Sequence, residues 1–227
     1  MTLPLLLASA SPRRRELLER VGVPVEVRPA DIDESTRDGE APEAYVTRLA
    51  RAKAEAVERS ETGVGDPDGF AGGAGGSAAR AIERSESGRW VLAADTTVAI
   101  DGAILGKAET PDEAAGMLRR LSGRTHRVLT AFVLLGERDG KPCVREGLVA
   151  SDVVMVDFDA ATLADYVASG EWRGKAGAYA IQGIGAALVR AVHGSVTNVA
   201  GLPLAEVIAA LREAGAPPPR FTAGNPA

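Results

Sequence analysis

Cysteine is almost missing from this sequence: of 227 residues, only Cys143 is one. An internal disulfide framework and a CxxC metal site are both excluded. Histidine is nearly as scarce, with His126 and His193 the only two. Each sits at an end of an apolar strand and reads as structural, and no Ser-His-Asp arrangement is present. Aromatic residues make up 4% of the chain, so the core has to be built from Leu, Val, Ile and Ala. Long apolar runs are lacking. The stretch Leu3–Ala8 has no basic lead-in and meets Arg13–Arg15 within a few residues, too short for a signal peptide or a membrane span. An excess of positive charge is lacking too, the formal net charge being -5. That argues against a nucleic-acid or anionic-membrane surface, although an acidic protein can still hold a basic pocket for a small anion. The expectation is a chain of the reducing cytoplasm with neither nucleic acid nor membrane as partner.

What remains is ordinary globular composition, 45% hydrophobic and 25% charged, enough for one sizeable domain or two small lobes sharing a core. Leu5–Leu7 reads as a buried strand, stopped by Ala8-Ser9-Ala10-Ser11-Pro12. Ser11 is a good N-cap, Pro12 suits the first helical position, and Gly22 ends the helix. Val23–Val27 reads as a strand, 29–42 as a polar loop and Ala44–Val57 as an Ala-rich helix. Residues 59–89 change character: the seven glycines from Gly63 to Gly76, among Ala, Ser, Asp and Pro, mark a flexible insertion, with a short helical piece at 78–84. No strand leads into it and no Gly-Lys-Ser/Thr ends it, so a phosphate loop is disfavoured.

Strand signals resume at Trp90–Ile100, with an Asp101-Gly102 hairpin returning through Ile104-Leu105. Helices follow at Pro111–Leu121, capped by Thr110, and at Ala160–Ala168, capped by Asp159 and closed by Gly170. Between them lie two long strands, Arg127–Leu135 and Cys143–Val156, joined at Asp139-Gly140. A Gly-rich loop at Glu171–Gly183, a strand at Ala186–Val192 and an amphipathic helix at Leu202–Ala214 complete the pattern. It predicts an α/β fold on a mixed sheet flanked by helices, one domain over 1–215, and a disordered tail over 216–227.

Five segments carry chemistry. In Ser9-Ala10-Ser11-Pro12-Arg13-Arg14-Arg15, arginines crowd the first turn of a helix, where they oppose its dipole unless an anion sits nearby. Free N–H groups, two hydroxyls and guanidinium forks suit a triphosphate; a solvated basic turn is the plain alternative. Asp31-Ile32-Asp33-Glu34 is a polar turn or, beside phosphates, one half of a divalent-cation site. Asp95 interrupts an apolar strand, a costly place for a carboxylate that is not paired, metal-bound or at a cleft edge. Lys107 returns toward Asp95 through the hairpin and can neutralise phosphate charge, whereas Lys53 lies in an Ala-rich helix and suits its exposed face equally well. Lys175–Gly183 offers small residues for close backbone approach and Gln182 to read a base, or is an ordinary loop. Cys143 reads as packing.

Taken together, "LASASPRR", "DIDE", "LARAKA", "AADTTVAIDGAILGK", "GKAGAYAIQG" and "SVTNVAGLPL" resemble the Maf family of nucleotide pyrophosphatases, related to the inosine-triphosphate pyrophosphatase fold. The resemblance runs from about Leu5 to Leu211, interrupted by the insertion. It implies an elongated, two-lobed α/β fold with the active site in a cleft, often as a homodimer. It also implies hydrolysis of a nucleoside triphosphate to monophosphate and pyrophosphate in a house-cleaning role. By motif position Asp95 corresponds to the catalytic proton acceptor. Ser9, Arg13, Arg14, Glu34, Lys53 and Lys107 correspond to phosphate- and metal-handling positions, and Arg13, Thr96 and Gln182 to positions linked to base choice. Arg-Arg after Pro12, Asp95-Thr96 and Ile181-Gln182-Gly183 resemble the branch preferring dTTP and UTP rather than that acting on 7-methyl-GTP.

The expected mechanism places a divalent cation, Mg²⁺ or Mn²⁺, on Glu34 and Asp95, with Asp95 helping to deprotonate water. Arg13, Arg14, Lys53 and Lys107 would stabilise the leaving pyrophosphate. A nucleotidyltransferase would need an acceptor motif that is not evident. A nucleotide-binding regulator of division or septum formation would share the cradle but has no need of the acidic pair.

Overall fold

The structure, a computed structural model, describes residues 3–62, 89–216 and 219. Its centre is a seven-stranded mixed sheet. Strand β1 (Leu5–Leu7) is the short all-leucine run, buried throughout, as a strand covered on both faces must be. It pairs in parallel with β2 (Val25–Val27) on one side and with Val91 and Leu92 of β3 (Val91–Ile100) on the other. On its far side β3 runs antiparallel to β5 (Thr125–Arg138), which forms a long hairpin with β6 (Lys141–Met155) through Asp139-Gly140. Strand β7 (Val189–His193) closes that edge.

Strand β4 (Ala103–Leu105) folds back through Asp101-Gly102 onto Val98–Ile100. It thus lies on the same edge of β3 as β1. Between the two, no strand among the described residues pairs with β3 at Ala94–Thr97. The sheet has a gap there, at the carboxyl end of β1.

Each face is covered by helices. Helix α2 (Pro42–Thr62) lays Val46, Ala50, Ala54 and Val57, a stripe at helical spacing, on Val91, Ala93, Ala99, Leu129 and Val133. The other face carries two separate apolar cores. Near β1 and β2, α1 (Pro12–Arg20) and α6 (Leu204–Ala214) enclose Leu17, Leu18, Leu92, Leu134 and Leu211. Toward the hairpin, α3 (Pro111–Leu121) and α4 (Ala160–Ser169) enclose Ile100, Leu118, Val128, Leu163 and Trp172. Thr110 and Asp159 cap these helices as expected, each accepting an N–H from its own first turn.

A polar seam lies along this face of the sheet: Ser9, Arg14, Thr96, Thr130, Ser151 and Asn198. The last belongs to α5 (Val196–Val199). Thr96 Oγ1 meets Thr130 Oγ1 at 2.9 Å, Thr130 donates to the Asn198 carbonyl at 3.1 Å, and Asn198 Nδ2 donates to Ser151 Oγ at 2.9 Å.

Several expected boundaries move. Helix α2 is longer than its apolar stripe, starting at Pro42 and reaching Thr62, so residues 59–62 continue a helix rather than open the insertion. At the other end Arg89 pairs with Glu26 and Glu61. The remaining insertion residues, 63–88 with the helical piece at 78–84, lie outside the described residues. So does most of the tail, but Ala216 is buried and donates its N–H to the Leu211 carbonyl, belonging to the fold rather than to the tail. The strand expected at Ala186 begins at Val189, because Ile184–Leu188 winds into a 3-10 turn started by Gly183. Helix α5 is too short to show a helical period in sequence.

Candidate active site

The gap in the sheet opens into a cleft of about 470 Å³, a volume typical of small-molecule sites. Neighbouring residues of a strand point to opposite faces, so Asp95 faces α2 while Thr96 faces the seam. At the gap both reach the same cavity. Ligands in α/β sheets favour such places, beyond the carboxyl end of a strand where the topology changes direction.

On the α2 side an ion-pair network fills the floor. Lys53 is buried, because its position at the helical spacing places it in the stripe between Ala50 and Val57. The exposed-face reading of this lysine is thereby overturned. Its Nζ lies 2.5 Å from Asp95 Oδ1 and 2.7 Å from Glu34 Oε1, while Lys107 Nζ lies 3.2 Å from Glu34 Oε2. Burial disfavours the Glu34 carboxylate, but the two ammonium groups outweigh it and hold its pKa below the ordinary value. Within the acidic loop only Glu34 lines the cleft; Asp33 turns back to accept the Ser35 N–H. Tyr45 and Arg48 of α2 hold this loop, donating to the backbone carbonyls of Glu34 at 3.0 Å and Ser35 at 2.9 Å.

On the seam side the two arginines, equivalent in the sequence, divide their work. Arg14 is buried, and every guanidinium nitrogen is committed: Nε to the Gly201 carbonyl at 2.7 Å, Nη1 to Ser9 Oγ at 2.9 Å and Nη2 to Thr96 Oγ1 at 2.9 Å. Burial lowers its pKa, countered in part by Asp95. Arg13 is half-buried on the cleft wall and makes no hydrogen bond or ion pair to the described residues. Ser11 occupies the N-cap position without a side-chain cap, its N–H donating instead to Ser9 Oγ at 3.2 Å.

The third wall is the 171–183 loop. It is fastened to the Lys107 segment by a backbone bridge from Lys107 to Ala176 and by the Gly177 N–H, which reaches the carbonyls of Leu105 and Gly106. Tyr179 is buried, its hydroxyl 2.8 Å from His126 Nε2. Burial drives the His126 pKa down to about 4, against a smaller pull from Asp152, so His126 is the structural residue that the sequence suggested. Gln182 is exposed at the cleft rim, and its amide makes no bond to the described residues. Lys175 also lines the cleft. Burial, then the facing Arg13, lower its pKa. Its charge was visible in the sequence, but nothing in the spacing marked it as opposite Arg13.

The structure therefore gathers all nine predicted residues, Ser9, Arg13, Arg14, Glu34, Lys53, Asp95, Thr96, Lys107 and Gln182, around one cavity. Six cationic side chains against two carboxylates line it, with Arg173 and Lys175 completing the set. That excess of positive charge suits a polyanion. Among the described residues no group of three or more His, Cys, Asp or Glu side chains forms a metal site. Even so, the oxygens of Glu34 and Asp95 converge on one point, now shared with the Lys53 ammonium. The donor set fits a hard divalent ion whose remaining ligands come from phosphate and water.

Comparison with known proteins agrees. The family described as Maf-like protein matches residues 4–214. The chain belongs to the Maf-like family. It is similar to the dTTP/UTP pyrophosphatase of Anaeromyxobacter sp. (strain Fw109-5), 45% identical with all of this chain and 97% of that protein covered. It is likewise 46% identical to the dTTP/UTP pyrophosphatase of Myxococcus xanthus (strain DK1622), covering 95% of this chain and 94% of the relative. The protein so named in Nitratidesulfovibrio vulgaris is 44% identical over 94% of this chain and 89% of its own length. No helix among the described residues of this Maf-like protein is long and apolar enough to cross a membrane.

Proposed function

We propose that this Maf-like protein is a nucleoside triphosphate pyrophosphatase acting on dTTP and UTP. Water would attack the α-phosphorus and the α–β bridging P–O bond would break, releasing the monophosphate and pyrophosphate. The observation that carries the reading is the arrangement in the sheet gap: a buried carboxylate, Asp95, beside a cleft with an excess of cations and an unbonded amide, Gln182, at its rim. The names of the relatives support the substrate class.

In this reading Asp95 accepts the proton of the attacking water, and Lys53, 2.5 Å away, fixes the carboxylate oxygen. Arg13, Lys107 and Lys175 meet charge developing on the leaving pyrophosphate, where fixed cations in a partly dry cleft do most of the catalysis. Arg14 holds Ser9 and Thr96 in place from behind. Glu34 and Asp95 would hold Mg²⁺ or Mn²⁺, which supplies charge neutralisation and orientation of the phosphates. Thr96, Arg13 and Gln182 set base choice. In this reading the protein works in the cytoplasm as a homodimer, with a nucleoside triphosphate as substrate and neither nucleic acid nor membrane as partner.

The test is product analysis of purified protein with a panel of nucleoside triphosphates, with and without Mg²⁺ or Mn²⁺. Monophosphate and pyrophosphate, formed fastest from dTTP or UTP and only with metal, is the expected result. Orthophosphate as the first product would overturn the bond assignment. Faster turnover of purine or methylated-guanine nucleotides would overturn the base assignment. Nucleotide binding with no turnover would mark a regulator of division or septum formation instead.

A further inference from the structure

Gln182 is well placed to read a base only if the loop that carries it is held still, and its own side chain is anchored to nothing described. The rigidity comes from behind. Residues Ala180–Gly183 form a tight turn, closed by the Gly183 N–H on the Ala180 carbonyl at 3.3 Å. Gln182 sits at the third position of that turn.

Two side chains outside the cleft lock it. The Glu171 carboxylate accepts the Ile184 N–H on Oε1 at 2.9 Å and the Gly185 N–H on Oε2 at 2.8 Å. The Tyr166 hydroxyl, from α4, donates to Glu171 Oε2 at 3.0 Å and accepts the Ala180 N–H at 3.2 Å. One carboxylate and one phenol therefore bind the backbone on both sides of Gln182. The fit is close: a Cβ on Gly183 would come 1.7 Å from Glu171 Oε1, so the carboxylate fills the space that a side chain at 183 would need. Tyr166 is buried with its ring in the α3–α4 core, and burial followed by the bond to Glu171 raises its pKa, so the hydroxyl keeps its proton for this bond.

We infer that Glu171, braced by Tyr166, is a positioning residue for base selection: it holds the Gln182 turn at the cleft rim without touching substrate. The inference rests on the pyrophosphatase reading and on Gln182 as the base reader. A displacement of about 1 Å in a positioning group can cost up to about 10²-fold in rate, and the discrimination provided by a hydrogen-bonding site falls when its groups lose alignment. Removing the carboxylate should therefore loosen discrimination and leave phosphate recognition alone.

The experiment is a double-mutant cycle on Glu171→Ala and Gln182→Ala, reading the ratio of kcat/KM for UTP over CTP. Inhibition by inorganic tripolyphosphate, which has no base, is measured beside it. Glu171→Ala should lower the ratio about tenfold, equivalent to losing one well-aligned hydrogen bond, with the tripolyphosphate inhibition constant within about twofold of the parent. In the Gln182→Ala background the same substitution should change the ratio little, because the two act through one group. Tyr166→Phe removes one brace and leaves the core filled, and it serves as the variant if Glu171→Ala does not fold; it should lower the ratio in the same direction by a smaller factor. An unchanged ratio in both Glu171→Ala and Tyr166→Phe, with Gln182→Ala altering it, would overturn the positioning role alone. An unchanged ratio in Gln182→Ala would overturn the base-reader assignment on which the inference rests. Equal losses in nucleotide and tripolyphosphate binding would show a general collapse of the cleft and refute selection.

Discussion

Replacing Arg14 by methionine, and separately Arg13 by methionine, should give two very different proteins. Arg14→Met takes away three charge-assisted hydrogen bonds, two of them buried, and removes one donor each from the Gly201 carbonyl, Ser9 Oγ and Thr96 Oγ1. Hydrogen bonds to charged groups contribute about 1.5–3 kcal/mol each. The desolvation cost of a buried guanidinium, which disappears with it, offsets part of that sum. A net loss of about 3 kcal/mol follows, which for a chain of this size lowers Tm by about 6–12 °C. Arg13 makes no such bonds, so Arg13→Met should melt within about 2 °C of the parent. Its penalty should appear instead as a lowered kcat and kcat/KM for nucleotide. Differential scanning calorimetry without ligand, followed by steady-state kinetics, separates the two. If both variants melt alike, or if Arg14→Met keeps the parental Tm, the division of labour between the arginines is wrong.

Three further outcomes follow from the same geometry. Asp95→Asn should lower kcat by about 10²-fold or more, followed by pyrophosphate release; near-normal turnover would remove Asp95 from the reaction. Lys175→Met should raise the inhibition constant of pyrophosphate by about tenfold, as expected for a lost charge-assisted contact, and unchanged inhibition would place Lys175 outside the phosphate site. The His126 pKa of about 4 lies below the unfolded value of 6.5, so the unfolded chain takes up the proton first. The stability this group contributes is complete above pH about 6.5 and is lost as the pH falls toward about 4, amounting to about 3 kcal/mol. Urea unfolding at neutral pH and at pH 4 should show a smaller acid loss in His126→Gln than in the parent; parallel losses would refute the assignment.

Much of this was legible in the sequence because local rules decided it. Thr110, Asp159 and Gly170 marked helix ends by side-chain and backbone chemistry that acts within one turn. Asp101-Gly102 and Asp139-Gly140 marked hairpins in the same way. Asp95 announced itself as a carboxylate in an apolar strand. What local rules could not give was direction and depth. Lys53 is buried because the stripe of α2 faces the sheet at the one place where a carboxylate waits, a fact of tertiary register rather than of spacing. Arg13 and Arg14 carry the same group, and only the approach of Gly201 from far along the chain assigns Arg14 to the scaffold. Glu171 gave no signal at all, since its carboxylate is held by one phenol and by backbone N–H groups beyond a loop.

The gap between β1 and β4 has a further consequence for the peptide groups of β3. Trp90 and Leu92 turn their carbonyls toward β1, where Leu6 and Ala8 donate to them. By the alternation of an extended strand, Ala94 and Thr96 turn their own N–H and C=O groups to the same edge, where no strand among the described residues meets them. Sheets ordinarily hide such groups because an open edge recruits other chains. Here the edge is interrupted for only a few residues and walled by charged side chains, so it is too short to template a strand. The backbone there remains a short polar edge beside the cleft, one that no substitution of side chains can erase.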